Sequence, residues 1–136
     1  MTTPVLCVHR ANVTGRHSGF QTPFVDWDAV RSLVTDVGLS DPEDALVNSI
    51  LESLRVARDL EDEGEETVVA VVSGEGDASV GRDRAVAQGV DSIATRHDAD
   101  RTIVVVDCAA DERGVPIVES RLTVDSVDRV VVRQAR

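Results

Sequence analysis

Four short runs of apolar, mostly β-branched residues stand out along the chain. Their positions do not alternate between apolar and polar, which is typical of strands buried on both faces, as in a parallel sheet covered by helices. The pattern therefore predicts four strands, at residues 5–8, 67–72, 102–106 and 130–132 with its flanks.

Amphipathic helices are predicted between these strands. Asp41 suits an N-cap, Pro42 suits the first helical position, and Gly64 marks the end of the helix that they begin. Its apolar positions recur at helical spacing, at Val47, Ile50, Leu51, Leu54 and Ala57. We expect a shorter helix over residues 28–37 and another over residues 115–121. A fourth is marked by Val86, Val90, Ile93 and Ala94 and weakened by Gly81 and Gly89.

Strands that alternate with helices predict right-handed crossovers and a doubly wound sheet. We expect a three-layer α/β fold, Rossmann-like or flavodoxin-like, with a mainly parallel sheet of four or five strands. The 136 residues are enough for one domain and too few for two, so residues 1–136 are taken as a single soluble domain. The first and third predicted strands should be neighbours, with ligands binding beyond their carboxyl ends.

The charge balance is unusual. All 14 basic residues are arginine, acids number 25, and the net charge is −11. Such a charge destabilises a compact chain by self-repulsion, but at molar salt the Debye length falls to about 3 Å and the repulsion is screened. We interpret this composition as adaptation to a salt-rich archaeal cytoplasm, the alternative being an ordinary acidic protein.

Several classes of partner are disfavoured. Nucleic acid binding needs a basic face and stacking aromatics, and the aromatic residues are only Phe20, Phe24 and Trp27. No apolar run reaches the length of a membrane span, and no signal pattern opens the chain, so we expect a cytoplasmic location. Cys7 and Cys108 fit reduced, buried side chains better than a disulfide.

The segment after the first strand carries the strongest anion-binding signal. It contains Arg10 and Arg16 together with His9 and His17, and no acid precedes Asp26. Arginine forks and backbone amides there could hold a phosphate or carboxylate. The alternative is that these arginines only pair with acids of neighbouring loops.

Other segments at the predicted carboxyl edge supply weaker candidates. Ser73 and Gly74 follow the second strand, and Arg133 follows the last. Asp107 and Asp111, with Glu112, could bind a divalent cation, but carboxylates are also the background of so acidic a chain. A zinc site of Cys7, His9 and Cys108 lacks paired ligands at short spacing. No metal site, cofactor or catalytic motif is assigned, and the interpretation leans away from an enzyme.

A set of short segments, in this order, resembles an archaeal family known as domain of unknown function 373. They are Val5-Leu6-Cys7-Val8 with Arg10 and Gly15, Thr22-Pro23, Asp41-Pro42-Glu43-Asp44 with Asn48, Ser73-Gly74, Val80-Gly81, Asp107 with Asp111-Glu112, Pro116-Ile117 with Ser120-Arg121, and Asp125-Ser126-Val127 with Arg129, Arg133 and Gln134.

The resemblance implies a soluble N-terminal part of a predicted integral membrane protein, with a membrane-embedded continuation. Acids usually stand in the family where this chain has His9, Ala11, Leu46 and Ala110. The resemblance therefore implies that any acid-dependent or metal-dependent chemistry is weakened here.

Three hypotheses follow. The leading one is a non-catalytic sensory or regulatory domain that binds a small anionic ligand, such as a nucleotide, through Arg10, Arg16, Ser73, Gly74, Asp107, Asp111 and Arg133. The rival is an interaction module that dimerises or docks on a membrane partner through Phe20, Phe24 and Trp27. The third is a degenerate metal-dependent phosphoesterase-like domain.

Overall fold

The computed structural model describes residues 2–12, 24–40, 45–74, 79–107 and 109–130. Five strands and five helices lie in these ranges. In chain order they are β1 (Thr3–Asn12), β2 (Phe24–Val25), α1 (Trp27–Ser40), α2 (Ala45–Asp62), β3 (Thr67–Gly74), α3 (Ser79–His97), β4 (Arg101–Val106), α4 (Ala109–Glu112), α5 (Val115–Glu119) and β5 (Thr123–Arg129).

The strands form one sheet in the order β2, β3, β1, β4, β5. The strands β3, β1, β4 and β5 run parallel, whereas β2 pairs antiparallel with β3. The parallel strands therefore have the flavodoxin-like order, with the first between the second and third, and the α/β prediction is confirmed. The two-residue strand β2 was not predicted, because a run so short has no periodicity to detect.

The core lies on both faces of this sheet, as the non-alternating strands predicted. On one face, β1, β3 and β4 pack against α1 and α2, through residues that include Val5, Cys7, Val30, Leu33, Ile50, Leu54, Val71 and Val105. On the other, the same strands pack against α3 and α5, through Leu6, Val8, Val72, Val86, Val90, Ile93, Val104 and Val118. Burial on both faces explains why these strands are continuously apolar.

Two glycines that the sequence analysis named, one after a helix and one within a helix, each have a structural reason. Gly64 follows α2 with a φ of 91°, a left-handed conformation that side chains rarely adopt, so its role as a helix stop is confirmed. Gly89 lies within α3, where a Cβ atom would stand 2.8 Å from Cγ1 of Val72. Gly89 was expected to weaken the helix, but its local effect is to let α3 approach β3 closely.

The last described strand lies before the apolar run that was predicted to form it. The strand β5 ends at Arg129, Val130 is not in a strand, and residues 131 and 132 of the predicted run lie outside the described ranges. The strand β5 is an edge strand with mixed exposure and a register irregularity opposite Thr102 and Ile103. An exposed edge strand can be polar, so β5 gives no apolar signal.

None of the helices in the described ranges is long and apolar enough to cross a membrane.

Candidate functional site

The sheet reverses its winding between β1 and β4. The chain leaves β1 and reaches β3 through α1 and α2 on one face, then crosses to β4 through α3 on the other face. Connections that diverge in this way open a crevice at the carboxyl ends of the two adjacent strands, where α/β proteins bind ligands. The prediction that the first and third parallel strands are neighbours is confirmed.

The structure brings part of the predicted site to this edge. Ser73 and Gly74 end β3, Asp107 directly follows β4, and Asp111 lies in α4. Arg10 lies in β1, but its side chain is not described. Arg16 and Arg133, like Phe20 and Cys108, lie outside the described residues. The proposed contribution of these arginines therefore stays a prediction.

The last part of β1 is irregular. His9 pairs with Ser73 of β3, but the next paired residue is Asn12, opposite Gly74. Arg10 and Ala11 are therefore extra residues in β1, which is a bulge. Bulges bend a strand, turn its side chains and occur often beside functional sites. This bulge lies at the crevice, directly after His9.

A buried histidine and carboxylate meet at the crevice. Nδ1 of His9 lies 3.4 Å from an Oδ of Asp111, and only 8 % and 4 % of their side chains are exposed. This separation makes an ion-pair contact rather than a well-formed hydrogen bond. Neither ring nitrogen of His9 has a hydrogen-bond partner among the described residues. Buried imidazole nitrogens are usually hydrogen-bonded, so a ligand group beside the ring would improve its environment.

The turn after α4 sets the position of Asp111. Gly114 donates its backbone N–H to the carbonyl oxygen of Asp111 at 2.9 Å. A Cβ atom on Gly114 would stand 2.5 Å from Cγ1 of Val8, so only glycine lets this turn lie so close to β1. The close approach holds α4 over the end of β1 and brings the Asp111 carboxylate to His9.

Cys7 lies two residues before His9, on the same face of β1, and its thiol is free and buried. Burial raises the pKa of its thiol to about 12, and the charges of Asp111 and Asp107 raise it further, although a hydrogen bond with Ser53 lowers it. A thiol in this state is a poor nucleophile and a poor metal ligand at neutral pH. The two carboxylates that act on Cys7 are thus close to the crevice.

The helix α2 begins at the same edge of the sheet. It descends from the carboxyl edge to the start of β3, and Ser53 contacts Cys7 in the middle of the layer. Two strand residues span about 6.6 Å and four helix residues about 6 Å, so we expect Ser49 to lie about level with His9. The first turn of α2 lies beyond Ser49, and the positive end of its dipole favours an anion near the crevice.

Side chains that could hold a metal ion do not cluster in the described part of the chain. No three His, Cys, Asp or Glu residues there are grouped closely enough to hold a metal ion. Glu112, one of the three carboxylates considered for a cation, makes an ion pair with Arg129 of β5.

Clefts also occur away from the crevice. One of about 610 Å³ runs along the exposed side of α1, between Asp28 and Leu39. Another of about 410 Å³ lies near the start of β3 and is lined by carboxylates that include Glu61 and Glu65. Carboxylates are abundant all over so acidic a chain, so neither cleft indicates a ligand.

Sequence reasoning missed the position of His9 beside Asp111 in this candidate site. His9 was named in the anion-binding segment, but its contact with Asp111 was not predicted, because 102 positions along the chain separate the two residues. The sequence did contain one signal for His9: it is a polar residue at the end of an apolar strand, next to the predicted switch point.

Comparison with known proteins identifies the family. The family described as Domain of unknown function (DUF373) matches residues 2–136. An uncharacterized protein of Archaeoglobus fulgidus is 35% identical over 132 residues, which cover 97% of this chain and 38% of that protein. This chain therefore spans well under half the length of that relative. No solved structure matches. The chain belongs to the DUF373 family, as its sequence segments predicted.

Proposed function

We propose that this part of the protein is a non-catalytic sensory or regulatory domain that binds a small phosphate-bearing anion, such as a nucleotide, at the crevice between β1 and β4. The observation that carries the proposal is His9. It is buried at the switch point of the sheet, it faces Asp111, and its Nε2 has no hydrogen-bond partner among the described residues.

The charges around the crevice require compensation if an anion is to bind. Asp107 and Asp111 contribute two carboxylates near the end of β1. The N-terminal turn of α2 and the predicted contribution of Arg10, which lies in the bulge of β1, offset them, and the His9 ring supplies a nitrogen for a hydrogen bond. In a salt-rich cell, direct forked contacts from arginine would count more than long-range attraction.

The rival interaction module gains no specific support. Trp27 is 37% exposed at the start of α1. Phe20 and the side chain of Phe24 lie outside the described residues, so a shared aromatic patch stays a prediction. A single exposed aromatic side chain is ordinary for a protein surface.

Thermal unfolding in molar potassium chloride tests the proposal. Inorganic phosphate, pyrophosphate, AMP, ADP and ATP are added to the wild type and to His9→Ala and Arg10→Ala. Binding to the native state at a hundredfold excess over Kd stabilises it by about 2.7 kcal/mol, so at least one compound should raise the midpoint. Each variant should lose the rise, measured against its own ligand-free midpoint.

Matched substitutions control for general effects. His97→Ala removes the histidine at the end of α3, and Arg31→Ala removes an exposed arginine of α1. Both controls should keep the ligand-dependent rise. A flat response of the folded wild type to all five compounds, or an equal rise in His9→Ala, would contradict the proposed site.

A further inference from the structure

The strand β5 has an open edge. In the order of the sheet, β5 lies at the end beside β4, and no described strand pairs with its outer side. Val130, which directly follows β5, donates its backbone N–H inward to the carbonyl oxygen of Val106. Because backbone groups alternate in direction along a strand, Val127 and Arg129 direct theirs outward. Such unpaired groups form a template on which another strand can pair.

The residues of β5 discourage pairing with an arbitrary strand. The adjacent residues Thr102 and Ile103 of β4 pair with Val124 and Ser126, so the intervening Asp125 is an extra residue and forms a bulge. Bulges and charged side chains are features by which proteins protect exposed edges. The remainder of β5 pairs with β4 in regular register. A partner strand at this edge therefore needs charges that complement those of β5.

The charges of β5 complement those of a second copy. When two β5 strands pair antiparallel about a two-fold axis at Val127, Asp125 of each copy lies opposite Arg129 of the other. Opposite charges in such positions stabilise an antiparallel pair, and like charges destabilise it. An axis at Asp128 would place two Asp128 side chains opposite each other, and an axis at Ser126 would leave the charges unmatched. Charge therefore selects the register about Val127.

The present partners of these charged side chains do not prevent the contact. Asp125 faces Arg101 at 3.6 Å, and Arg129 contacts Glu112. All four side chains are at least 37% exposed, and ion pairs between exposed side chains contribute little to stability. A carboxylate accepts and a guanidinium donates several hydrogen bonds, so each can add a partner from a second copy.

An exposed apolar residue borders the same edge. Arg55 of α2 reaches toward Asp128 of β5, and Glu52 is hydrogen-bonded with it. Leu51 directly precedes Glu52 and lies one turn before Arg55, so it is on the side of α2 that faces β5. Its side chain is 52% exposed. A second copy beside β5 would shield Leu51 from water, which favours association.

We propose that two copies of the chain form a dimer in which their β5 strands pair antiparallel about Val127, so that one sheet continues through both copies. The outward N–H and C=O groups of Val127 bond to those of its counterpart, because opposite residues of such a pair exchange both bonds. The two-fold axis closes the assembly, since each copy then has its β5 edge covered. This inference does not depend on the proposed ligand.

Sedimentation equilibrium of the purified chain tests the dimer. The net charge of −11 on each copy opposes association. In about 0.5 M potassium chloride the Debye length is about 4 Å, which screens this long-range repulsion more than contacts between side chains. The wild type should then have twice the mass of the chain.

Charge reversal tests the register. Arg129→Asp places like charges opposite each other at both ends of the interface, so it should weaken dimerisation at least about tenfold. Asp125→Arg should weaken it in the same way. The double variant Asp125→Arg/Arg129→Asp restores opposite charges and should regain most of the affinity.

Matched controls carry the same changes of charge away from β5. Arg31→Asp and Asp28→Arg lie on the exposed side of α1 and should leave the dimer unchanged. A folded wild type that is monomeric at about 1 mM overturns the proposal. A dimer that both single variants leave equally tight, or that the double variant does not restore, also overturns it.

Oxidative cross-linking gives a measurement that does not depend on charge. Opposite Cα atoms of a hydrogen-bonded antiparallel pair lie about 5.5 Å apart, a separation that a disulfide can bridge. Val127→Cys should therefore form a covalent dimer on mild oxidation. The controls are the wild type, which has Cys7 and Cys108, and Thr35→Cys on the exposed side of α1, and both should stay unlinked. Absence of the cross-link in folded Val127→Cys overturns the proposal.

Discussion

At the scale of single residues, two carboxyl groups away from the crevice lie close enough to share a proton in acid. Glu52 of α2 and Asp128 of β5 are hydrogen-bonded, and Arg55 binds Glu52 with contacts of 2.5 and 2.8 Å. The hydrogen bond with Glu52 raises the pKa of Asp128 to about 6, with burial and the charge of Glu52 adding to the effect. The bond from Arg55, followed by that with Asp128, lowers the pKa of Glu52 to about 2.

This pair predicts how stability depends on pH. Because the pKa of Asp128 rises from 3.8 to about 6 on folding, the native state binds more protons between these values. The contribution of Asp128 to the free energy of unfolding therefore increases as pH falls through about 6, and it is complete below 3.8. Asp128→Asn keeps a donor toward Glu52 without the charge, so at pH 8 it should stabilise by about 1 kcal/mol, a value discounted for partial exposure.

Thermal unfolding of the wild type and Asp128→Asn across pH checks the expectation. The difference in unfolding midpoint between them should shrink as pH falls from about 8 to about 5. At the lower pH, Asp128 of the wild type is mostly protonated and therefore uncharged, like the asparagine of the variant. Asp125→Asn serves as the control, because it removes an exposed carboxylate of the same strand that faces Arg101 at 3.6 Å. A difference that is constant with pH would refute the shared proton.

At the scale of elements, the docking of α4 and α5 on the sheet depends on one close approach. Gly114 has ordinary right-handed helical angles, φ −76° and ψ −20°, so a side chain is not excluded by the backbone conformation. It is excluded by Val8, whose Cγ1 would lie 2.5 Å from a new Cβ. Val8 is fully packed in β1, so the turn rather than the strand must move.

Gly114→Ala should therefore lower the free energy of unfolding by about 1 to 3 kcal/mol, as overpacked cores do. It should also increase the distance between His9 and Asp111 and reduce the stabilisation by the phosphate compounds. Chemical denaturation with and without the ligand measures both effects.

The matched control is Gly38→Ala in α1, where a new Cβ would have no neighbour within 4 Å. A helical alanine there should be neutral or stabilising by up to about 1 kcal/mol. Equal effects of the two substitutions would show that the contact with Val8 does not matter.

At the scale of the whole molecule, the net charge of −11 acts on stability through salt. Many of the arginines described are already engaged, for example Arg55, Arg101, Arg121 and Arg129 in ion pairs with Asp or Glu. The unbalanced acids are spread over the surface, so their mutual repulsion is long-ranged and sensitive to screening.

Raising potassium chloride from about 0.1 M to about 2 M should increase the unfolding midpoint by at least about 4 °C, which is roughly 1 kcal/mol for a chain of this size. Sodium chloride should act almost equally if screening is the cause. A midpoint that falls or stays constant over this range would contradict the interpretation of the composition as salt adaptation.

The sequence by itself determined the class of fold and the edge at which to look for a site. Runs such as Val68–Val72 are apolar because both faces of their strands are covered, and this local requirement can be read without coordinates. The same holds for the stop at Gly64, where φ is 91°. The strand β5 was not predicted, because an edge strand can be exposed and its residues need not be apolar.

Only the tertiary structure decided which side chains meet. Asp111 was a candidate because it follows a strand, yet its partner His9 is fixed by the order of β1 beside β4 and by the approach of Gly114 to Val8. Likewise, Glu52 and Asp128 are neighbours because α2 packs across the sheet toward β5. The periodicity of apolar residues shows which faces of each helix or strand are buried. Contacts between distant segments depend instead on how these elements pack, which no local pattern encodes.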